Sequence, residues 1–289
     1  MDFLQVDVFA DKPFTGNPLA VFPDAAELTT TQMQAIAKEM NLSETAFVTE
    51  WDAESYNVRI FTPVEELPFA GHPTIGTTWA LLHLSRVKEL RVMQHSKAGS
   101  TWVTAEGNEL WFGRNGVVGS DLLDRDPHAN GRLAAALGLD EDEVGQEAGE
   151  LGRHGRLEAA FSDCGLEWLM VPLRDEKALS RCQPDPGLLK EITPFGAYCF
   201  TAMKPGSVRA RAFFPGSGGF IEDPGTGSAA ADLGLYLADR IGPIELEILQ
   251  GVELGRPCRL FVKGAEDEVR VGGRCELVFK GRLERLPEV

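Results

Sequence analysis

An ungapped shift of 152 residues superposes two unusual segments of this chain, and a chain that repeats itself at that spacing folds as two copies of one unit. The first segment is Arg59-Ile-Phe-Thr-Pro63 leading to Gly71-His-Pro-Thr74-Ile-Gly76. The second is Arg211-Ala-Phe-Phe-Pro215 leading to Asp223-Pro-Gly-Thr226-Gly-Ser228. Arg, Phe, Pro and Thr coincide at 59/211, 61/213, 63/215 and 74/226. Both turns run into stretches that are apolar nearly all round, Thr74–His83 and Ser228–Ala238, the pattern of a buried helix. After each comes a strand ending in Gln, Arg91–Gln94 and Glu247–Gln250, then alternating strands at Thr101–Thr104 and Arg259–Val262. Before each comes a strand, a helix and a strand: Leu19–Phe22, Thr31–Met40 and Thr45–Thr49, mirrored by Trp168–Val171, Pro186–Ile192 and Ala197–Thr201. The chain therefore reads as α+β, two pseudo-symmetric domains, each expected to wrap a barrel-like mixed sheet around a central helix. Its 289 residues suit two such domains.

The expected join lies in Gly116–Gly155, where turn residues and acidic runs replace long strands and a short helix is expected around Arg132–Leu137. With the two helix N-termini facing one another across the inter-domain cleft, that cleft is the expected ligand site, because backbone N–H groups and positive dipole ends converge on it.

Charge narrows the choice of ligand. The net charge of −16 repels phosphate backbones and anionic lipid, so a small-molecule substrate is expected, with neither nucleic acid nor membrane as partner. The first residues, MDFLQVDVFADKPF, have no basic patch leading into an apolar run, and the longest uncharged stretch is broken by Pro68, Gly71, Pro73 and Gly76; a cytoplasmic protein is expected. Five widely spaced cysteines without a CxxC read as free thiols rather than disulfides or a zinc cluster.

Gly225-Thr-Gly-Ser-Ala-Ala230 fits a relaxed dinucleotide-binding GxGxxA, with Glu245 where a ribose-binding acid belongs. The approach FFPGSGGFIEDP is broken by Pro and Gly where that fingerprint needs a smooth strand, so no nicotinamide or flavin is expected. Phosphate-loop, esterase and zincin motifs are absent, and no metal site is expected. His72, between Gly71 and Pro73 at a helix entrance, is poorly placed for packing and reads as functional. Glu44, just before an apolar strand, competes between a strand-entry charge and a catalytic acid; Asp223 between an Asx turn and a ligand group; Ser228 between helix capping and substrate binding.

These motifs resemble the PhzF-like phenazine-biosynthesis isomerases, which have the diaminopimelate epimerase-like fold. The resemblance runs through Val6-Asp-Val-Phe9, Phe14-Thr-Gly-Asn17-Pro-Leu-Ala-Val21, Asn41-Leu-Ser-Glu44-Thr-Ala-Phe47, Phe69-Ala-Gly-His-Pro-Thr-Ile-Gly76, Glu222–Ala230 and Gln250-Gly-Val-Glu-Leu-Gly-Arg-Pro257. It implies domains at 1–115 with 277–289 and at 116–276, the last strand returning to the first domain. It further implies Glu44 as acid/base, His72, Asp223 and Ser228 as catalytic partners, and Asn17, Gly71, Thr226 and Gly227 as substrate-binding residues. The implied reaction is a cofactor-independent shift of a proton between carbons of a small cyclic or amino-acid-like substrate, resembling trans-2,3-dihydro-3-hydroxyanthranilate isomerisation. A homodimer is implied too. The alternative is a non-catalytic metabolite-binding protein of the same fold. Epimerases of this fold place a cysteine at each helix entrance; here both turns lack a thiol, so one carboxylate rather than two thiols is expected to move the proton. Cys258 stands where the family usually has Ser after GRP.

Overall fold

A helix with no polar face is stable only where other elements surround it, and the computed structural model shows that arrangement twice. It describes residues 1–216, 219–265 and 268–288. The chain divides into two compact units, Met1–Gly113 with Gly272–Val289, and Arg114–Val271. The return to the first unit comes before the expected residue 277, because Gly272 already packs on the Trp111 ring and Gly273 on Phe9.

The first unit begins with β1 (Asp2–Val8), β2 (Asn17–Phe22), α1 (Thr30–Met40), β3 (Glu44–Trp51), β4 (Ser55–Phe61) and the two-residue β5 (Glu66–Leu67). It continues through α2 (Gly71–His83), β6 (Arg91–Ser96), β7 (Gly99–Glu106) and β8 (Glu109–Asn115). β2 with β3 and β4 with β6 are parallel; β1 with β2, β3 with β4 and β6 through β8 are antiparallel. Ten of the thirteen residues of α2 are buried, and the strands come so close that a Cβ on Gly76 would lie 2.6 Å from Leu19 and 2.7 Å from Val8. On the other side of the sheet α1 lays Met33, Ile36 and Ala37 against Phe22, Phe47 and Phe61. Thr29 and Gln32 form a capping box at its start, and Asn41 in the left-handed region ends it.

The second unit holds β9 (Val117–Asp121), α3 (Leu122–Arg125), α4 (Ala129–Leu137), the short pair β10 (Gln146–Glu147) and β11 (Arg156–Leu157), β12 (Ala160–Asp163) and β13 (Glu167–Pro172). Then come α5 (Glu176–Arg181), α6 (Pro186–Ile192), β14 (Ala197–Lys204), β15 (Ser207–Gly216), β16 (Gly219–Asp223), α7 (Gly227–Ile241), β17 (Ile244–Gln250), β18 (Cys258–Gly264) and β19 (Glu268–Gly273). The pairing repeats that of the first unit: β13 with β14 and β15 with β17 are parallel, while β12 with β13, β14 with β15 and β17 with β18 are antiparallel. α7 is the central helix, with eleven of its fifteen residues buried. The expected join at 116–155 belongs to this unit, since β9 pairs with β12 and α4 buries Leu133 and Leu137 against Leu179 and Leu189. The final strand, β20 (Cys275–Arg282), returns to pair antiparallel with β1, the place that β9 takes beside β12. No helix among the described residues is long and apolar enough to cross a membrane.

Register explains why the repeat is only partly visible as sequence. β4 and β5 pair Phe61 with Glu66 and Ile60 with Leu67, while β15 and β16 pair Phe213 with Glu222 and Ala212 with Asp223. The second hairpin therefore spends four more residues between its strands. The first unit spends them instead between Leu67 and Thr74, where α2 begins one turn earlier relative to Thr74 than α7 does relative to Thr226. His72 sits on that additional turn.

Candidate active site

Parallel pairing of β2 and β3 sets Leu19 opposite Glu44, so Asn17 and Glu44 open two neighbouring strands of the first unit. The added turn of α2 brings His72 to both. Asn17 Nδ2 lies 3.2 Å from His72 Nδ1, and His72 Nε2 lies 3.4 Å from a Glu44 carboxylate oxygen. An amide nitrogen only donates, so Nδ1 accepts and the ring hydrogen sits on Nε2, which lies near Glu44 but outside hydrogen-bonding geometry. His72 is 4% exposed, and burial pushes its pKa down from 6.5 to about 3. The nearby carboxylate acts in the opposite sense, but desolvation prevails and the imidazole is neutral at physiological pH. Gly71, at the first position of α2, is buried beside it.

Asp223, Thr226, Gly227 and Ser228 gather at the start of α7 in the second unit. Thr226, its N-cap residue, donates its hydroxyl hydrogen to Asp223 Oδ2 at 2.6 Å. Beneath them the buried Gln250 uses its whole amide. Nε2 donates to the Asp223 carbonyl at 2.8 Å and to Thr226 Oγ1 at 3.0 Å. Oε1 accepts from Tyr198 O–H at 2.9 Å and from Thr226 N–H at 3.2 Å. Ser228, the second residue of α7, is not its N-cap residue and is partly exposed. Cys258 is fully buried opposite Gln250 in the β17–β18 ladder, its thiol donating to the Arg256 carbonyl at 3.5 Å.

Four of the eight predicted residues thus fall in each unit. Sequence reasoning noticed Gln94 and Gln250 only as strand ends. Both are buried clamps: Gln94 donates to Thr74 Oγ1 at 2.9 Å and accepts from Tyr56 O–H at 2.8 Å. Their recurrence at one place of the repeat, in apolar strands, was the available signal.

The repeat also shows what is not duplicated. Arg59 forks onto Glu66, both bonds 2.8 Å, and Arg211 onto Glu222 at 2.9 and 2.8 Å, each guanidinium lying over a Phe ring. By register Glu44 corresponds to Gly196, since Thr45 pairs with Phe61 as Ala197 pairs with Phe213. A Cβ on Gly196 would lie 2.6 Å from the Trp168 ring and 2.9 Å from the Phe213 carbonyl, so no carboxylate can stand there. Among the described residues no group of three or more His, Cys, Asp or Glu side chains is placed to hold a metal ion. The glycine turn at 225–230 follows the return strand of a hairpin rather than a parallel β–α–β strand, and Glu245 is exposed beside Lys263, which does not fit a dinucleotide.

Residues 6–281 match the PhzC-PhzF family, phenazine biosynthesis-like proteins. The chain belongs to this family. It is 38% identical, over 282 residues, to an uncharacterized isomerase of Pasteurella multocida, covering 96% of this chain and 92% of that protein. It is also 38% identical over 273 residues to trans-2,3-dihydro-3-hydroxyanthranilate isomerase of Pseudomonas chlororaphis, covering 90% and 89%. Among solved structures, the Bacillus anthracis phenazine biosynthesis protein of the PhzF family aligns with a TM-score of 0.82 at 25% identity over 97% of this chain and 98% of that one. A hydroxyproline epimerase of Agrobacterium vitis shares the fold alone, with a TM-score of 0.60 at 12% identity over 97% and 91%. With these relatives the chain is an isomerase of the PhzC-PhzF family.

Proposed function

We propose that Glu44 is the acid/base of a proton-shifting isomerase acting on a small cyclic, amino-acid-like substrate of the kind named for the Pseudomonas relatives, trans-2,3-dihydro-3-hydroxyanthranilate. The observation that carries the reading is the Asn17–His72–Glu44 array, in which a buried neutral imidazole lies 3.4 Å from a carboxylate oxygen. A neutral partner suits a base that must later act as an acid. A protonated imidazole would hold Glu44 ionised and oppose its return of the proton.

Glu44 takes a proton from an activated carbon of the substrate, and the electron pair moves through the conjugated system. The carboxylic acid so formed gives the proton to a vinylogous carbon, which relocates the double bond and regenerates the carboxylate. One base serving both carbons delivers the proton on one face of the substrate. The closure of the Gly196 position by Trp168 supports this reading, because a second carboxylate related by the repeat has no room. Asp223, Ser228 and the N–H groups of Gly71 and Gly227 are assigned to holding the substrate and stabilising enolate charge, as helix starts do for anions. No step calls on a redox group or a metal.

The test is substrate turnover in deuterated water. Wild-type protein is expected to incorporate solvent deuterium into the product, and Glu44→Gln to lose at least the ~10²- to 10⁴-fold that a general base typically contributes, with an unchanged circular dichroism spectrum. Exchange retained in the variant overturns the assignment.

A further inference from the structure

The hydrogen bonds of the second unit run in one direction. Tyr198 O–H donates to Gln250, the Gln250 amide donates to Thr226 Oγ1, and the Thr226 hydroxyl, its lone pair engaged by that amide, sends its hydrogen to Asp223 Oδ2. Every link is buried, and the same amide holds the Asp223 carbonyl and the Thr226 N–H. One side chain thereby ties the backbone on both sides of the Asp223–Thr226 turn and dictates where the Thr226 hydrogen points.

We propose that Gln250 is a positioning residue of the isomerase: acting through Thr226, it holds the Asp223 side chain as a hydrogen-bond acceptor in one fixed orientation. The role rests on the reading of Asp223 as a substrate-holding group. The Gln94–Thr74 pair of the first unit has the same form, but its turn carries no acid, since Leu67 stands where Asp223 does. The shared pair is therefore scaffold in one unit and coupled to a carboxylate in the other. The titratable groups beside Gln250 are Tyr198 on β14, Asp223 on β16 and Cys258 on β18.

Gln250→Glu preserves shape and makes the donor titratable. Ionised, the new carboxylate cannot donate to the Asp223 carbonyl and competes with Asp223 for the Thr226 hydrogen; protonated, it donates again. Burial near Asp223 places its titration well above the ordinary carboxylate range. Relative to wild type at the same pH, kcat on trans-2,3-dihydro-3-hydroxyanthranilate is expected to fall about tenfold or more at pH 8.5, as misplacement of a substrate-holding group does. It should return to within about fivefold by pH 5.5. A loss equal at every pH, or none at any, overturns the proposal.

A second arm does not depend on turnover. In Gln250→Met the Asp223 carboxyl, followed by ¹³C NMR and assigned with Asp223→Asn, is expected to titrate at higher pH than in wild type, because its Thr226 donor is released. Tyr198→Phe moves it the same way should the methionine variant not fold. An unmoved midpoint in the folded variant overturns the positioning role. Wild-type protein that leaves the substrate unchanged overturns the function instead, and the Asp223 titration still decides the role of Gln250.

Discussion

Acidification tests the neutral imidazole directly. In the folded chain His72 takes up a proton only near pH 3, because burial leaves the imidazolium without water, whereas the unfolded chain protonates it near pH 6.5. Between those values the unfolded state binds one more proton, so stability is complete above about pH 6.5 and is lost as the pH falls. The slope is about 1.4 kcal/mol per pH unit, which accumulates to about 5 kcal/mol near pH 3. For a chain whose total stability is of the usual size, about 5–15 kcal/mol, that is a large share. Urea unfolding of wild type and His72→Gln, compared at pH 7.5, 6.5, 5.5 and 4.5, isolates this one group. The difference in unfolding free energy between the two proteins should change by about 1.4 kcal/mol for each unit below 6.5 and stay constant above it. The Cε1–H resonance of His72, assigned by the same substitution, should show no midpoint above about pH 4. Parallel stability curves, or an imidazole that titrates at pH 6 or higher, would refute the reasoning and with it the picture of a neutral imidazole beside Glu44.

Two further perturbations follow from buried polar groups. Asn17→Leu removes the donor that fixes the His72 tautomer; kcat/KM should fall about 5- to 150-fold, the equivalent of a buried hydrogen bond worth about 1–3 kcal/mol, and the ¹⁵N shifts of His72 should show a mixed tautomer in place of a single Nε2–H form. Asp232, inside α7 and fully buried, has its carboxyl held well above the usual carboxylate range by desolvation, so its folded pKa is the higher one and stability falls as pH rises above about 3.9. Asp232→Asn should therefore gain on wild type with increasing pH in thermal melts between pH 4 and 7, and curves that stay parallel would count against a protonated acid there.

Much of this architecture was legible because burial writes a strong pattern. Helices as apolar as α2 and α7 need a surrounding sheet, and a Gln at matching strand positions, 94 and 250, announced the repeat, although β6 continues two residues past Gln94. Other parts were hidden by compensating length changes. Glu66 and Glu222 make the same fork to Arg, yet they are 156 residues apart where Thr74 and Thr226 are 152, so a single ungapped shift cannot align both. The first turn of α2 was missed as helix because Gly71, His72 and Pro73 read as a turn; Pro is tolerated there, where no intrahelical N–H is lost. β16 was missed because Pro and Gly interrupt its approach. The Asn17–His72 contact joins residues 55 apart in sequence, and no local pattern encodes it; it depends on the register of β2 and the added turn of α2 together.

Comparison of the two units separates scaffold from chemistry. What recurs is the Arg–Glu fork over a Phe ring and the Gln–Thr clamp under a helix start, each a fully partnered polar group in an apolar setting, where an unmet bond is costly. What does not recur is Glu44 against Gly196, Asp223 against Leu67, and His72, which lies on a turn of helix that α7 lacks. A two-base racemase built on this repeat would need matched acids or thiols at equivalent places. Here the place equivalent to Glu44 is closed by the Trp168 ring, and the place equivalent to Asp223 holds Leu67. Asymmetry at these positions, with the supporting bonds repeated in both units, is what the proposed single base working on two carbons of one substrate requires. On that proposal these unmatched positions, rather than the repeated bonds, specify the reaction.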